Sequence, residues 1–229
     1  MCGRFSLTTP LALLQPLLAG AWPPGLERHY APRPQVHPGE PLLLQRQEEG
    51  RPAVSLALWG LVPDWCQDPR TARRPINARA ETVAKRASFR GAWRHRRCLL
   101  PADGYFEWSG AGAARQVHWI RRQDRAPFWL AGVWERWIGA DGSELETCCV
   151  LTTAANDRLR SLHPRMPVVI PTGLEQAWLS PVDGPGLRAL VPLLAPWDGT
   201  DWEASPVHLS SSQAEPLPLH SRQLQLFGG

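Results

Sequence analysis

Long apolar runs are absent from this 229-residue chain, although 43% of its residues are hydrophobic. A helix needs about 20 consecutive apolar residues to cross a bilayer, and no stretch approaches that length. The first residues also lack the basic-then-apolar order of a secretory signal peptide. We therefore expect a soluble cytoplasmic protein with an ordinary buried core and no membrane partner.

Cysteines are few, and their spacing is unlike that of a disulfide framework or a zinc site. The five lie at positions 2, 66, 98, 148 and 149, an odd number without any CxxC pair. Adjacent cysteines in a strand, as at 148 and 149, point to opposite faces of the sheet. The sequence therefore predicts no structural disulfide, no metal site and no cofactor.

Lysine is almost missing, because Lys85 is the only one and arginine carries nearly all the positive charge. The segment from Arg70 to Arg97 contains ten basic residues and one acid, Glu81, whereas the net charge of the whole chain is only +4. Such a segment indicates a polyanionic partner, since guanidinium groups suit phosphates and stacked bases. An arginine-rich genome and a solvated helix face would give the same pattern.

No internal repeat or long low-complexity linker divides the chain, and its 24 prolines are spread widely. This favours a single domain over residues 1–229, with a poorly ordered tail after about residue 196, where Ser, Pro and Gln accumulate. The element pattern described next predicts an α+β fold with a mostly antiparallel, barrel-like sheet and peripheral helices.

Runs of apolar and of β-branched or aromatic residues predict seven strands. They are Pro41–Gln45, Ala53–Trp59, Arg97–Leu100, Tyr105–Trp108, Val117–Arg121, Phe128–Trp137 and Thr147–Thr153. Helices are predicted at Pro10–Leu18, at Glu81–Trp93, at Ala155–Leu162 and after Thr172. The last would begin with a T-x-x-E capping box formed by Thr172 and Glu175.

Four short stretches present chemical groups in contexts that suit packing poorly. They are MCGRF, PINARAET, DGYFEW and LHPRMP, which contain Cys2, Asn77, Glu107 and His163 in that order. If Met1 is removed, as is usual before a small side chain, Cys2 presents an amine and a thiol on one carbon skeleton. These residues are the catalytic candidates, since such groups attack carbonyls or move protons.

Glu107 has an unusual setting for an acid. It lies between Phe106 and Trp108 in a predicted strand, where Tyr105 and Ser109 share its face. An acid among aromatics should either be paired or have a raised pKa. A structural salt bridge to one of the many arginines is therefore an alternative to a catalytic role.

Two further candidates have structural interpretations that the local sequence leaves open. His163 precedes Pro164, which restricts the histidine backbone toward extended conformations, so the ring can cap a chain end or lie on the surface. Asn77 can cap the helix predicted after it.

In order along the chain, seven motifs resemble the SRAP family (SOS response-associated peptidase-like), the abasic-site processing proteins that crosslink to DNA. They stand here as MCGRF, WGLVPDW, PINARAET, RCLLPADGYFEW, FWLAGVWERW, TCCVLTTAAN and LHPRMPVVI, and they span residues 2 to 170. Seven ordered motifs make the resemblance highly specific. It implies the family fold, one α+β domain with a positively charged cleft for single-stranded DNA.

The resemblance also implies roles for the catalytic candidates. In the family, the mature N-terminal cysteine attacks the aldehyde of an abasic deoxyribose, and Cys2 occupies that position here. The active-site asparagine, glutamate and histidine of the family match Asn77, Glu107 and His163.

DNA-binding candidates follow in the same way. The DNA-contacting arginines of the family match Arg4 and Arg79, and an aromatic residue near the nucleic acid matches Trp65. From the basic segment we add Arg86. An abasic sugar offers no base to recognise, so binding should depend on phosphates, backbone shape and stacking, with low sequence specificity.

Three departures from the family pattern affect these expectations. His29 replaces a common asparagine, which puts one polar contact in the cleft in doubt, and Pro164 replaces the usual aspartate, which affects how His163 is oriented. The run SPVHLSSSQAEPLPLH matches the closing segment of the family only weakly, so no function is transferred to it.

The expected function is to sense abasic sites in single-stranded DNA, during DNA repair and the SOS response, and to form a covalent thiazolidine crosslink through Cys2. The protein would act as a monomer that associates with the nucleoid when bound to DNA. Lyase-type activity or cleavage of its own N-terminus would be compatible with this site. The alternatives are an N-terminal-nucleophile cysteine peptidase and a noncatalytic single-strand DNA-binding module.

Overall fold

A computed structural model describes residues 2–112 and 115–209 of the chain. The described residues form thirteen strands. These are β1 (Phe5–Leu7), β2 (Arg33–Val36), β3 (Pro41–Glu48), β4 (Arg51–Trp59), β5 (Asn77–Arg79), β6 (Arg97–Ala102), β7 (Gly104–Ser109), β8 (Gln116–Arg122), β9 (Phe128–Ile138), β10 (Glu144–Ala154), β11 (Arg165–Pro167), β12 (Val169–Ile170) and β13 (Trp202–Val207).

Helices are short and lie around the strands. They are α1 (Leu11–Leu14), α2 (Leu26–His29), α3 (Ala87–His95), α4 (Glu175–Leu179) and α5 (Gly184–Ala189), with 3₁₀ turns at Gln15–Leu17 and Val191–Leu194. Within the described ranges, none of these helices has the length and apolar character that a membrane span requires.

Five strands close into a barrel in the order β10-β4-β3-β6-β9, because β9 pairs back with β10. Every pairing around the ring is antiparallel except β10 with β4, where Thr147 lies opposite Leu58. The core includes Leu43, Leu100 and Leu130, each at most 2% exposed. The predicted α+β fold with a mostly antiparallel, barrel-like sheet is confirmed.

A second sheet, in the order β13-β8-β7-β1-β2, places the N-terminal segment beside the barrel. β1 pairs antiparallel with β7, with Phe5 opposite Tyr105. Between β6 and β7, the carboxylate of Asp103 accepts hydrogen bonds from the hydroxyl groups of Thr8 and Thr9 at 2.8 and 3.1 Å. These contacts fix the segment just after Cys2 relative to β7.

All seven predicted strands are present, whereas the predicted helices are only partly correct. Residues Ala155–Leu162 form turns rather than a helix, because the side chain of Asn156 accepts the Leu159 N–H at 3.0 Å and donates to the Trp197 carbonyl at 2.9 Å. Such a side chain competes with the helical backbone for hydrogen bonds.

Two other helix predictions have displaced starts. The helix predicted from Glu81 begins only at Ala87, after a series of turns. The T-x-x-E capping box does not form: Leu174 is the N-cap of α4, and Glu175 accepts the Gly173 N–H at 2.7 Å. Gly173 has a φ of +89°, and this left-handed turn separates Thr172 from the helix start.

The last described strand falls where loss of order was predicted. β13 pairs with β8 over six residues, from Trp202 opposite Arg122 to Val207 opposite Val117. The predicted poorly ordered tail therefore does not begin at residue 196. Its remainder, residues 210–229, lies outside the described residues.

Candidate active site and nucleic-acid interface

Cys2 lies fully buried where the N-terminal segment crosses from the second sheet to the barrel. Asn77, the first residue of β5, donates from Nδ2 to the Cys2 carbonyl at 2.8 Å. β5 is itself fixed by parallel pairing with β10, where Asn77 lies opposite Val150. Asn77 therefore anchors Cys2 to the barrel from within a strand and does not cap the following helix.

Glu107 lies on β7, next to Cys2. The Phe106 N–H donates to the Arg4 carbonyl at 2.9 Å, which brings this part of β7 alongside the N-terminal segment. Glu107 is 3% exposed. Burial raises the pKa of the Cys2 thiol above its usual value, and the negative charge of Glu107 raises it further. The thiol is thus held in its protonated form.

The carboxyl group of Glu107 is shifted in the same direction. Burial raises the pKa of Glu107, and its electrostatic interaction with His163 partly opposes this rise. The carboxyl is therefore more basic than an exposed glutamate while remaining close to an imidazole. This combination is typical of residues that accept and return protons.

His163 lies between the turns that follow β10 and the start of β11. Nδ1 of His163 lies 3.0 Å from both the backbone nitrogen and the carbonyl oxygen of Arg165, so it accepts from the one or donates to the other according to the ring's tautomer. The Arg165 guanidinium in turn pairs with Glu81. The ring orientation thus depends on the backbone of residue 165, and the Pro164 carbonyl accepts the Ala155 N–H at 2.9 Å.

Tyr105 is a site residue that motif reasoning missed. It is fully buried, and burial raises the pKa of its phenol, to which the charges of Cys2 and Glu107 add. Among the described residues, neither its hydroxyl nor Oδ1 of Asn77 has a hydrogen-bond partner. The alternation that puts Tyr105 on the face of Glu107 was the available signal.

Two of the four DNA-binding candidates lie close in sequence to the anchored residues. Arg4 donates from Nη1 to Oε1 of Gln35 at 2.9 Å, and its guanidinium lies 5.4 Å from the ring centre of Trp108. Arg79 is exposed at the end of β5, two residues after Asn77 and so on the same face of the strand.

The other two candidates lie on separate elements. Arg86 is exposed and immediately precedes α3. Trp65 is 63% exposed on a loop whose neighbours contact Arg96 and Trp137. The side chain of His29, which replaces a common asparagine of the family, lies outside the described residues.

The basic segment is not a uniform charged surface. Arg97 is buried and donates to the carbonyls of Trp93, Arg94, Trp178 and Ser180 at 2.6 to 3.0 Å, while burial lowers its pKa to about 10. Arg96 and Arg70 are paired with acids. Besides the paired Arg70, the exposed cations of the segment are Arg73, Arg79, Lys85, Arg86, Arg90 and Arg94.

Comparison with known proteins places this geometry in a family. The model for the SOS response associated peptidase (SRAP) family matches residues 1–212, and the chain belongs to that family. The abasic site processing protein YoqW of Bacillus subtilis is 32% identical over 208 residues, covering 89% of this chain and 91% of that protein.

A second relative and a solved structure agree with this assignment. The abasic site processing protein YedK of Escherichia coli is 32% identical, covering 78% of this chain and 79% of its own. A crystal structure of a protein from Bacteroides thetaiotaomicron matches with a TM-score of 0.80 at 25% identity, covering 90% of this chain and 92% of that one. The resemblance indicated by the seven sequence motifs is confirmed.

Proposed function

We propose that this protein processes abasic sites in single-stranded DNA by forming a covalent crosslink between Cys2 and the ring-opened deoxyribose. The observation that carries the proposal is the setting of Cys2. Its carbonyl is held by Asn77 at 2.8 Å, and its thiol lies within the electrostatic influence of the buried Glu107. The names of YoqW and YedK support the choice of lesion.

The chemistry explains why the amine and the thiol belong on one residue. An α-amine titrates at a pH of about 8, so a substantial fraction is neutral under physiological conditions and can attack an aldehyde. Imine formation releases one water. The thiol then adds across the carbon–nitrogen double bond, with sulfur going to carbon and the proton to nitrogen, and closes a five-membered thiazolidine. Tethering of the thiol favours this closure.

Three side chains are assigned supporting roles. Glu107 takes a proton from the terminal amine and returns it as water leaves. His163 moves a proton at the sugar oxygen as the closed deoxyribose opens. Asn77 orients the terminus through its hydrogen bond to the Cys2 carbonyl. Burial of Cys2 shields the adduct from hydrolysis.

DNA binding is assigned to charge and stacking. Arg4 and Arg79 contact phosphates next to the lesion, Arg86 extends the cationic surface, and Trp65 stacks on a neighbouring base. The exposure of Arg79, Arg86 and Trp65 supports these roles. This assignment predicts a steep dependence of affinity on salt concentration and little dependence on sequence.

A cysteine peptidase is the competing function, because the name of the family includes the word peptidase. A cysteine peptidase needs a thiolate, which is normally stabilised by a cation or a helix N-terminus. Burial and Glu107 instead raise the pKa of the Cys2 thiol. This shift favours attack by the amine first, followed by addition of the neutral thiol to the imine.

The test is incubation with single-stranded DNA that carries one abasic site, followed by a denaturing gel. Wild-type protein should give a heat-stable band of increased mass with abasic DNA and none with undamaged DNA. Cys2→Ala, which keeps an amine but lacks the thiol, should give no heat-stable band. Noncovalent binding of both DNAs without any crosslink would favour the binding module, and cleavage of an unrelated peptide would favour the peptidase.

A further inference from the structure

The loop around Trp65 is tied to the barrel on both sides of that tryptophan. Trp65 has its side chain 63% exposed, which is costly for so large an apolar group. Its chain neighbours, Asp64 and Cys66, each make a contact that leads to β9. The backbone that carries Trp65 is therefore anchored on both sides.

The first connection to the barrel is ionic, with Arg96 contacting both Asp64 and Glu135. Nη2 of Arg96 lies 3.1 Å from Oδ2 of Asp64 and 2.7 Å from Oε2 of Glu135. Glu135 is 2% exposed on β9, and the Trp134 N–H donates to the Arg96 carbonyl at 2.9 Å. An exposed pair of Asp64 and Arg96 alone would contribute little, but the buried carboxylate fixes the guanidinium.

The second tie is a hydrogen bond from Trp137. Its Nε1 donates to the Cys66 carbonyl at 2.6 Å, and the Cys66 N–H donates to the Pro63 carbonyl at 3.0 Å to form a turn. Trp137 is 8% exposed and packs in a small apolar cluster with Leu58 and Leu145. The turn that presents Trp65 is thus held by a buried donor on a rigid strand.

We propose that Glu135, Arg96 and Trp137 are positioning residues that hold Trp65 as a preorganised platform on which a base of single-stranded DNA stacks. The proposal rests on the DNA binding assigned above, and it adds residues that do not themselves touch the DNA. A platform fixed before binding avoids the entropy loss of ordering the loop, so base stacking contributes more fully to affinity.

The test measures noncovalent affinity for an undamaged, labelled oligonucleotide by fluorescence anisotropy over a range of salt. Trp65→Ala should weaken binding roughly 5- to 150-fold, the range for loss of one stacked base. Trp137→Phe removes the indole N–H but keeps an aromatic, uncharged side chain, and should weaken binding roughly 2- to 10-fold. Combined with Trp65→Ala, Trp137→Phe should cause no further loss.

Controls separate positioning from direct contact and from general destabilisation. Trp178→Phe is the matched control, because Nε1 of Trp178 donates to the Cys98 carbonyl at a distance of 2.9 Å. This bond does not involve the Trp65 loop, so its loss should not change affinity. Arg96→Lys keeps the charge but removes the guanidinium whose Nη2 contacts both acids, so it should weaken binding only when Trp65 is present. The log–log salt slope should stay constant, whereas loss of a phosphate contact would change it by about 0.7.

Equal losses from Trp137→Phe or Arg96→Lys with and without Trp65 would overturn the proposal, as would unchanged affinity in Trp65→Ala. If Trp137→Phe fails to fold, the same comparison of Arg96→Lys with and without Trp65 tests the proposal by itself. Crosslinking to abasic DNA is measured in parallel. If no crosslink forms but the affinity losses still depend on Trp65, the proposed function is contradicted and the platform proposal is supported. If the crosslink forms but the losses do not depend on Trp65, only the platform proposal is contradicted.

Discussion

Glu107 in the Cys2 site and Glu135 beneath the Trp65 loop look alike in sequence and differ in the structure. Each lies in a strand beside a tryptophan, each is almost fully buried, and burial raises the pKa of both. Glu107 is close to Cys2 and His163, whereas Glu135 is paired with Arg96. Burial is thus encoded locally, but the role of each acid is decided by partners distant in sequence.

The different roles of Glu107 and Glu135 are tested most strongly by neutralising each acid in turn. Glu107→Gln should slow crosslink formation at saturating DNA by ~10² to 10⁴, because a proton-transfer group is lost, while the affinity for undamaged DNA is kept. Glu135→Gln should do the reverse, weakening affinity through the Trp65 loop without slowing the saturated rate. Single-turnover kinetics on denaturing gels, with anisotropy for affinity, distinguish the two.

Glu203→Gln is the control for that pair, because Glu203 forms a partly exposed ion pair with Arg121 far along the second sheet. It should leave both rate and affinity unchanged. Slow crosslinking in both Glu107→Gln and Glu135→Gln, together with loss of folding, would indicate that Glu107 is a structural acid like Glu135.

A buried and an exposed arginine of the basic segment, Arg97 and Arg79, should differ in their effects on stability and on DNA binding. Arg97→Met should lower the free energy of unfolding by about 3 kcal/mol or more, since it leaves buried carbonyls without their donor. Arg79→Met should leave stability within about 0.5 kcal/mol and reduce the salt slope of DNA binding by about 0.7. Chemical denaturation and anisotropy titrations measure the two effects. A stable Arg97→Met protein with weakened DNA binding would contradict the division between buried and exposed arginines.

The last expected effect is a pH dependence of stability. Burial raises the pKa of Glu135 from 4.5 to about 7, with Arg96 opposing the shift. The folded chain therefore binds a proton that the unfolded chain releases, and stability falls as the pH rises from 4.5 to 7. The slope is at most about 1.4 kcal/mol per pH unit.

Glu135→Gln has no such proton, so the wild-type free energy of unfolding should fall relative to that of the variant across this pH range. Urea denaturation at several pH values measures the difference. A difference that is constant with pH would show that the carboxylate is fully stabilised by Arg96.

Local sequence was sufficient to predict the strands but not to predict that they close into a barrel. Runs of apolar, β-branched and aromatic residues located β9 and β10, which are buried on both faces over most of their length. The parallel pairing of β10 with β4 joins residues about 90 positions apart, and no local pattern encodes it. The helix predicted at Ala155–Leu162 is a series of turns, in which the Asn156 side chain accepts the Leu159 N–H and donates to the distant Trp197 carbonyl.

The site shows the same limit. The catalytic candidates came from motifs, and the structure brings Asn77 into contact with Cys2 and puts Glu107 beside it. Sequence reasoning treated Arg96 and Arg97 as part of one charged surface, because a neighbour that buries or pairs an arginine is invisible in the local pattern. Only the fold shows that Arg97 is buried and Arg96 is paired.

The most direct test of the central claim is the intact mass of the crosslink formed by protein with a free N-terminal Cys2. The account predicts the mass of the chain without Met1 plus the abasic oligonucleotide minus one water, in an adduct that borohydride leaves unreduced because the thiazolidine is closed. Cys2→Ala should give only a transient imine that borohydride traps. A tagged protein that retains Met1 and still forms the heat-stable crosslink at the wild-type rate would contradict the joint action of amine and thiol.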